Sequence, residues 1–495
     1  MDGEADTGSP VATIGRKAGR GLRWSLVGTL VTKAGSFVMG LVLARLLAPE
    51  DFGLYAIALA ATAFVMHVND VGIIAATVQW RGRLEEMAPT ATVMAVGFSV
   101  AVYGIFWFAA PGFAALAGGE DATPVVRLLT VVILIDGLTA VRSAALMREF
   151  RHDLLTMANM AGFCVNAGVA ITLAANGAGP YSFAWGQLAA AAVTGVLVLA
   201  GARVPVRVGL DRAVAGRLLR FGVPLAASLG IESVLLNADY IIVGGALGTV
   251  ALGYYLLAFN VSSWVPGLVG TAVRYVSIPS FSRLAEEESD SVAEGVRRSV
   301  PPLVALVLPI AVAMAALAGP FVALYGAKWA PAAAVLPWLA VLMVVRMLTA
   351  LACDILISLG ATRATVWLNL GWALALVPAL LVGTRVDGIR GAAVGHALVA
   401  VLVALPLAAA ALHRAGVPLG PVLPGLVRPL LGGVVAAAVM LPLGVLVAGP
   451  ALVTLCVAGG AGVLAYAVVV VPRQTLARLA GESARLVRPA GRKDT

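Results

Sequence analysis

The chain has 495 residues, of which 61% are hydrophobic and only 12% are charged. Soluble domains carry roughly 45–50% apolar and about 25% charged residues, so these values exclude a soluble fold and predict lipid as the main solvent. The net charge of +9 does not indicate nucleic-acid binding, because the basic residues stand in short groups between long apolar runs.

The chain begins with a polar stretch, residues 1–21, that includes Arg16, Lys17 and Arg20. The apolar run that starts near Leu22 is about 25 residues long, which is too long for the core of a signal peptide and long enough to span a bilayer. We therefore expect a cytoplasmic tail followed directly by the first membrane span.

Apolar runs between charged or Gly/Pro-rich breaks predict about fourteen helical spans. Their approximate limits are 22–46, 55–79, 88–110, 123–147, 154–176, 180–201, 219–246, 250–271, 301–325, 332–359, 364–383, 389–411, 425–447 and 450–471. A β-barrel would show alternating segments of about ten residues instead. The sequence therefore predicts an all-α polytopic membrane protein without a metal site or disulfides, since Cys164, Cys353 and Cys456 all fall inside apolar runs.

The distribution of basic residues predicts the orientation of these spans. About 26 of the 34 Lys and Arg residues fall in both termini and in alternate loops, where the positive-inside rule places the cytoplasm. Intervening loops hold Arg45, Lys328, Arg385 and Arg390. We expect both ends of the chain to be cytoplasmic in a bacterial inner membrane.

A short phrase recurs 200 residues apart, at Phe52–Ala58 and at Leu252–Ala258, with Gly53/Gly253 and Tyr55/Tyr255 at matching positions. Six predicted spans separate the copies, and an even number returns the chain to the same side of the membrane. The halves are therefore predicted to be parallel repeats, related by a pseudo-twofold axis along the membrane normal as in some secondary transporters.

This repeat predicts two six-helix lobes followed by two extra helices. The expected divisions are a cytoplasmic tail (1–21), a first lobe (22–201), a crossover linker (202–218), a second lobe (219–412), spans thirteen and fourteen (413–472) and a basic cytoplasmic tail (473–495). Leu210, Val214 and Leu218 share a helical face beside the linker arginines, which predicts an interfacial helix.

The first predicted span carries a polar stripe around Lys33. Ser25, Thr29, Ser36 and Gly40 stand three or four residues apart on the same helical face. A charge at mid-bilayer costs about 2.5–3.5 kcal/mol on insertion scales, so it usually serves a purpose. One interpretation places Lys33 on a cavity that attracts a phosphate or pyrophosphate; the other is an ion pair with a neighbouring helix.

Span seven carries an acidic stripe made of Ser228, Glu232 and Asp239, with Asn237 and Tyr240 nearby. A buried carboxylate can bind a cation or carry a coupling proton if desolvation favours its neutral form. The alternative is a structural ion pair with a basic residue of another span. Glu232, Asp239 and Asn237 are therefore candidates for coupling or gating.

Four further ionisable residues lie inside predicted spans. Arg142 and Arg346 are candidate cavity residues, and Asp136 and Asp354 are candidate gating residues or ion-pair partners. Arg142 has a second interpretation, in which its side chain extends to the cytoplasmic interface.

Asp70, with His67 and Asn69, is either part of a polar cluster in the outer half of span two or the mark of a helix irregularity. His396 in span twelve is more simply interpreted as an interior histidine with satisfied hydrogen bonds than as a proton relay.

No GxxxxGK[ST] motif occurs, so ATP is not an expected ligand. No predicted external loop is long enough for the extracytoplasmic domain of a membrane polymerase or ligase. We expect no cofactor beyond a coupling H⁺ or Na⁺, and no enzymatic activity.

Several segments resemble bacterial polysaccharide flippases. Residues 44–55 read ARLLAPEDFGLY and are followed by Asp70-Val71-Gly72 and Val78-Gln79; together they resemble the opening of the Wzx-type group. Residues 145–151, 238–240 with 252–255, 325–331 and 359–363 resemble later segments of that group. The likeness covers roughly residues 20–400, and the group belongs to the multidrug/oligosaccharidyl-lipid/polysaccharide exporter superfamily.

The resemblance implies a flippase that moves an undecaprenyl-pyrophosphate-linked glycan from the cytoplasmic to the outer leaflet through a cavity between two rocking lobes. Its partners would be this glycan, membrane lipids and glycan assembly proteins. A cation-coupled multidrug exporter and a lipid II flippase are the alternatives within the superfamily. A membrane-bound glycosyltransferase is the enzymatic alternative, and no catalytic constellation supports it.

Overall fold

Apolar helices account for nearly all of the chain that the computed structural model describes. The described residues are 28–29, 31–69, 77, 84–149, 151–202, 209–220, 237–263, 289–447 and 449–471. Asp70 and Glu232, two of the predicted gating residues, lie outside this part of the chain, as do Ser25 and Ser228.

The α-helices in the described residues follow one another with short connections. They are α1 (31–46), α2 (Pro49–Asn69), α3 (Leu84–Leu116), α4 (Thr123–Thr130), α5 (Val132–Arg148), α6 (His152–Ala175), α7 (Tyr181–Gly201), α8 (212–220), α9 (Ala238–Ser262), α10 (Ser289–Ala316), α11 (Ala318–Ala323), α12 (Leu336–Ser358), α13 (Thr362–Val399), α14 (Leu405–Arg414), α15 (Leu423–Leu446), α16 (Ala451–Thr454) and α17 (Gly460–Val470). Short 3₁₀ segments at Glu120–Ala122, Ala327–Ala334 and Gly420–Val422 and π segments at Ala400–Ala404 and Leu455–Gly459 join some of them.

Two of these helices contain chain reversals. In α9 the backbone leaves helical geometry at Gly248, whose φ of 82° lies in the region that favours glycine. In α13 it does so at Asp387 and Gly388. Residues equidistant from each reversal come together: Gly244 lies beside Leu252, and Gly383 beside Gly391. Each of the two helices therefore forms a hairpin.

Eleven helical segments in the described residues are long and apolar enough to cross a membrane. All fourteen predicted spans contain helical residues, and the predicted boundaries between spans seven and eight and between spans eleven and twelve coincide with the two reversals. The prediction of an all-α polytopic membrane protein is confirmed.

The described residues form two compact units: residues 1–261 with Leu376–Gly395, and Ser262–Ala375 with His396–Thr495. The predicted lobe boundaries at 201 and 219 stay a prediction, because compactness alone does not define a structural repeat.

In the first unit, α6 and α7 pack closely against each other. Gly162 lies against Thr194, and Gly186 lies against Asn166 and Ala170. Small residues let membrane helices approach closely, and dispersion contacts replace the hydrophobic effect as the driving force in lipid. Within this pair, α6 also contacts α1, since Gly35 lies against Phe163.

The linker helix α8 packs on the start of α3. Asp211 accepts hydrogen bonds from the backbone N–H groups of Ala213 (2.7 Å) and Val214 (3.1 Å), so it caps the helix. Val214 and Leu218 are buried in a cluster with Met87. Leu210, predicted to share their face, is instead 66% exposed, because it precedes the cap and is not part of the helix.

In the second unit, the last two spans pack on α10. Gly425 lies beside Pro301, Gly433 beside Leu308 and Gly444 beside Leu317. The shared core contains Leu317, Ala436, Met440, Ala458 and Tyr466. Spans thirteen and fourteen are therefore an integral part of this unit.

Candidate functional site

A polar cavity of about 290 Å³ lies between the start of α1 and the first half of α6. The residues that line it are Gly28, Thr29, Thr32, Lys33, Ser36, Thr156, Asn159 and Met160. Three residues predicted from one helical stripe, Thr29, Lys33 and Ser36, therefore line one cavity.

Two glycines, Gly28 just before α1 and Gly35 within it, allow this close approach. A Cβ atom at Gly28 would overlap the Thr156 side chain, and a Cβ atom at Gly35 would lie 2.5 Å from the ring of Phe163. A larger residue at either position would force the Thr156 or Phe163 side chain, or α1 itself, to move. The cavity thus depends on a tight contact on each side of Lys33.

The lining of the cavity suits an anion. Lys33 is half-buried and contributes an ammonium group, while Thr29, Thr32 and Thr156 contribute hydroxyls and Asn159 an amide. The Ser36 hydroxyl donates to the carbonyl of Thr32 at 2.7 Å, so its proton is already engaged. None of the eight described lining residues carries a carboxylate.

The second candidate, Asp239, is 1% exposed near the start of α9. Its Oδ1 accepts a hydrogen bond from the backbone N–H of Tyr240 at 3.0 Å, and the Tyr255 hydroxyl donates to its Oδ2 at 3.3 Å. Asn237 lies in the turn before the helix, where its carbonyl accepts from the N–H of Tyr240 at 3.2 Å.

The matching tyrosine of the other repeat has a different partner. Tyr55 accepts a hydrogen bond from Nε2 of Gln187 at 2.6 Å and stacks on Phe183, with ring centroids 4.2 Å apart. Both tyrosines of the repeated phrase are buried. Among the described residues, Tyr255 contacts the Asp239 carboxylate, whereas Tyr55 contacts the Gln187 amide.

Arg142 is buried in α5 rather than extended to the interface. Its side chain is 2% exposed, and Nη1 lies 3.5 Å from the carbonyl of Leu138 one turn earlier. In this state the Arg142 side chain is therefore enclosed by protein, and its contact with a substrate stays a prediction. Asp136, on the same helix, is half-buried.

The second unit holds Arg346 and Asp354 on α12, and His396 near the end of α13. Arg346 is half-buried, and His396 is 5% exposed. Asp354 is 2% exposed, and its carbonyl accepts a hydrogen bond from the Ser358 hydroxyl at 2.8 Å. Asp354 is therefore an interior residue.

Sequence reasoning missed the α6 side of the polar cavity. Thr156 and Asn159 stand three residues apart on one face of an otherwise apolar helix, which is the same signal that identified Lys33. It also missed the Tyr255 contact with Asp239, since their spacing of sixteen residues spans a chain reversal.

The chain is similar in sequence to proteins of polysaccharide biosynthesis. A family model described as "Polysaccharide biosynthesis protein" matches residues 42–334, more than half of the chain. The succinoglycan biosynthesis transport protein ExoT of Rhizobium meliloti is 28% identical over 333 residues, which spans 65% of this chain and 65% of ExoT.

Two further relatives are more distant. The lipopolysaccharide biosynthesis protein WzxC of Escherichia coli is 23% identical over 77% of this chain and 78% of its own length. The teichuronic acid biosynthesis protein TuaB of Bacillus subtilis is 21% identical over 66% of this chain and 68% of its own length.

Solved structures share the fold. The lipid II flippase MurJ, in an inward closed conformation, gives a TM-score of 0.76 at 12% identity, covering 90% of this chain and 97% of MurJ. An inward-facing multidrug resistance MATE family transporter gives 0.62 at 15% identity, covering 79% and 98%. At these identities the likeness establishes the fold alone.

Proposed function

Because the chain belongs to the polysaccharide biosynthesis protein family, Wzx-type, we propose that it carries an undecaprenyl-linked glycan from the cytoplasmic to the outer leaflet of a bacterial cytoplasmic membrane. The mechanism we propose is alternating access, in which the glycan and its phosphates occupy a central cavity. Relatives named for succinoglycan, lipopolysaccharide and teichuronic acid biosynthesis support a surface polymer as cargo.

The observation that carries the proposal is the cavity at Lys33. A lipid-linked glycan joins its sugar to its lipid through phosphate, so the carrier must stabilise anionic oxygens within the membrane. The ammonium of Lys33, with the hydroxyl and amide donors of Thr29, Thr156 and Asn159, supplies hydrogen bonds to such oxygens. The absence of carboxylates among the described lining residues favours an anion over a cation.

Asp239 is the proposed coupling residue. Its burial makes the charged form costly unless a partner compensates, and the Tyr255 hydroxyl and the Tyr240 N–H both donate to it. Binding a proton or Na⁺ would remove or balance that charge and change the contact with Tyr255. We propose that H⁺ or Na⁺ drives transport in this way, without ATP.

The proposed function includes a membrane orientation and a source of the substrate. Both termini are cytoplasmic, as the basic loops predict, and glycan assembly proteins deliver the lipid-linked substrate on that side. Half-buried Arg346 is a further proposed contact for the glycan phosphates in the second unit.

The test is complementation in cells that lack the gene. The parent protein should restore export of the surface glycan, and Lys33→Ala should not, although it reaches the membrane in equal amount. Val38→Ala is the matched control, because Val38 lies on the same helix with 59% of its surface exposed. Normal export by Lys33→Ala would refute the role of this cavity.

Two outcomes would favour another cargo. Arrest of cell-wall synthesis on depletion would indicate lipid II, and transport of organic cations by purified protein without any glycolipid would indicate a multidrug exporter.

A further inference from the structure

The two copies of the repeated phrase contact each other through their backbones. A Cβ atom at Gly53 would overlap the carbonyl oxygen of Thr249, and a Cβ atom at Gly253 would overlap the carbonyl oxygen of Pro49. The same Cβ atom at Gly253 would lie 3.2 Å from the backbone nitrogen of Gly53. Both contacts lie within the first compact unit.

These contacts are equivalent under the 200-residue offset. Pro49 precedes Gly53 by four residues, and Thr249 precedes Gly253 by four residues. Each glycine therefore lies against the backbone carbonyl of the residue three positions before the other copy. A symmetric backbone-to-backbone contact of this kind has no room for any side chain at either glycine.

A second set of glycines closes the same end of the helices. A Cβ atom at Gly245 would lie 2.6 Å from the carbonyl oxygen of Leu116, and one at Gly244 would overlap the carbonyl oxygen of Ala117. Gly119 lies between the side chains of Ile57 and Thr249, each 2.7 Å from where its Cβ would be. The end of α3 thus packs into the reversal of α9.

The side chains around these glycines are buried and apolar. Phe52, Leu252 and Leu256 are at most 3% exposed. At this end, α2 and α9 thus meet through glycine backbone and carbonyl groups, surrounded by buried apolar side chains. The contact is a seal across the ends of these helices.

The seal is well separated from the polar cavity. Lys33 precedes the end of α1 at residue 46 by thirteen residues, which is about 20 Å along a helix. A substrate in the cavity would therefore face a path that is closed at the far end of α1.

We propose that Gly53 and Gly253 form a backbone seal that closes one end of the transport path and separates in the opposite half of the cycle. The inference rests on alternating access, which is part of the proposed function, but not on the identity of the cargo. Under the predicted topology this end faces outwards. Glycine at both positions sets the closed state, because an alanine at either would force the carbonyl away and favour the open state.

The test measures the separation of the two repeat copies directly. Glu50 and Val250 are equivalent positions, both exposed, so Glu50→Cys and Val250→Cys can carry spin labels in a background without Cys164, Cys353 and Cys456. Double electron–electron resonance on the purified full chain should give a single short distance between the two spin labels. Gly53→Ala or Gly253→Ala should add a population at longer distance.

The matched control is Gly168→Ala on α6, where a Cβ atom would meet nothing within 4 Å. It should leave the distance distribution unchanged. The seal is refuted if both alanine variants keep the parent distribution, or if the control shifts it equally. The double variant should shift the distribution little more than either single variant, because the first alanine already separates the carbonyls.

A second measurement tests the seal without glycine substitutions, so it still applies if the alanine variants do not fold. Cross-linking Glu50→Cys to Val250→Cys with a cleavable reagent, in protein with both glycines intact, should stop transport, and cleavage should restore it. Transport at the parent rate in the cross-linked protein would refute the seal. Because the distance measurement needs no substrate, a glycine-dependent shift without glycan transport would refute the proposed function and leave the seal in place.

Discussion

Gly53 and Gly253, separated by 200 residues, each lie against the backbone carbonyl of the residue four positions before the other glycine. The sequence repeat is therefore also a contact in space, and it brings the start of α2 against the part of α9 that follows its reversal at Gly248. On either side of this symmetric contact the chemistry differs, with Lys33 before one copy and Asp239 before the other. The account of function rests on that difference.

Lys33→Ala should weaken binding of an undecaprenyl pyrophosphate-linked sugar about tenfold to a hundredfold. A hydrogen bond to a charged group contributes about 1.5–3 kcal/mol, and the variant removes both the charge and its donors. Titration calorimetry in detergent would measure the change. Lys33→Arg should keep most of the affinity, and equal affinity of Lys33→Ala and the parent would contradict an anion site.

Asn159→Leu should weaken the same binding by a smaller factor, about twofold to tenfold. The side chain is replaced by one of similar size that cannot donate, so the loss is that of a hydrogen bond to the ligand. Met157→Leu is the control, since Met157 is on the same helix and 63% exposed. A loss equal to that of Lys33→Ala would indicate damage to the α1–α6 contact instead.

Tyr255→Phe should lower the free energy of unfolding by about 1–3 kcal/mol, because it deprives the buried Asp239 carboxylate of a donor. Equilibrium denaturation in mixed micelles would measure this change in the free energy of unfolding. Tyr181→Phe, at an exposed position (38%), should change stability by less than about 0.5 kcal/mol. If pH or Na⁺ alters stability equally in the parent and in Tyr255→Phe, the proposed coupling through Asp239 fails.

Leu218→Ala should loosen the linker helix, because Leu218 is buried against α3 and such truncations cost about 2–5 kcal/mol. Amide hydrogens of residues 212–220 should exchange faster with deuterium, as mass spectrometry would show. The adjacent Leu219→Ala is the control, since Leu219 is 45% exposed. Faster exchange in both variants alike would mean that α8 is not held by its packing on α3.

Hydrophobic run length was sufficient to predict the helices, since only helices satisfy the backbone over about twenty apolar residues in lipid. Helical periodicity was sufficient to place Thr29, Lys33 and Ser36 on one face. It could not identify Thr156 or Asn159 as their neighbours, because contacts between helices depend on where glycines such as Gly28 permit close approach. Nor could it predict that Arg142 is enclosed, since periodicity does not reveal which helix covers a residue.

The central claim is that the chain carries a lipid-linked glycan across the membrane, and reconstitution tests it most directly. Purified protein in liposomes would be given a fluorescent undecaprenyl pyrophosphate-linked oligosaccharide, and a membrane-impermeant quencher would report which leaflet holds it. We predict protein-dependent exchange between leaflets that Lys33→Ala abolishes and Val38→Ala preserves. Exchange at the rate of protein-free liposomes under both H⁺ and Na⁺ gradients would contradict the account.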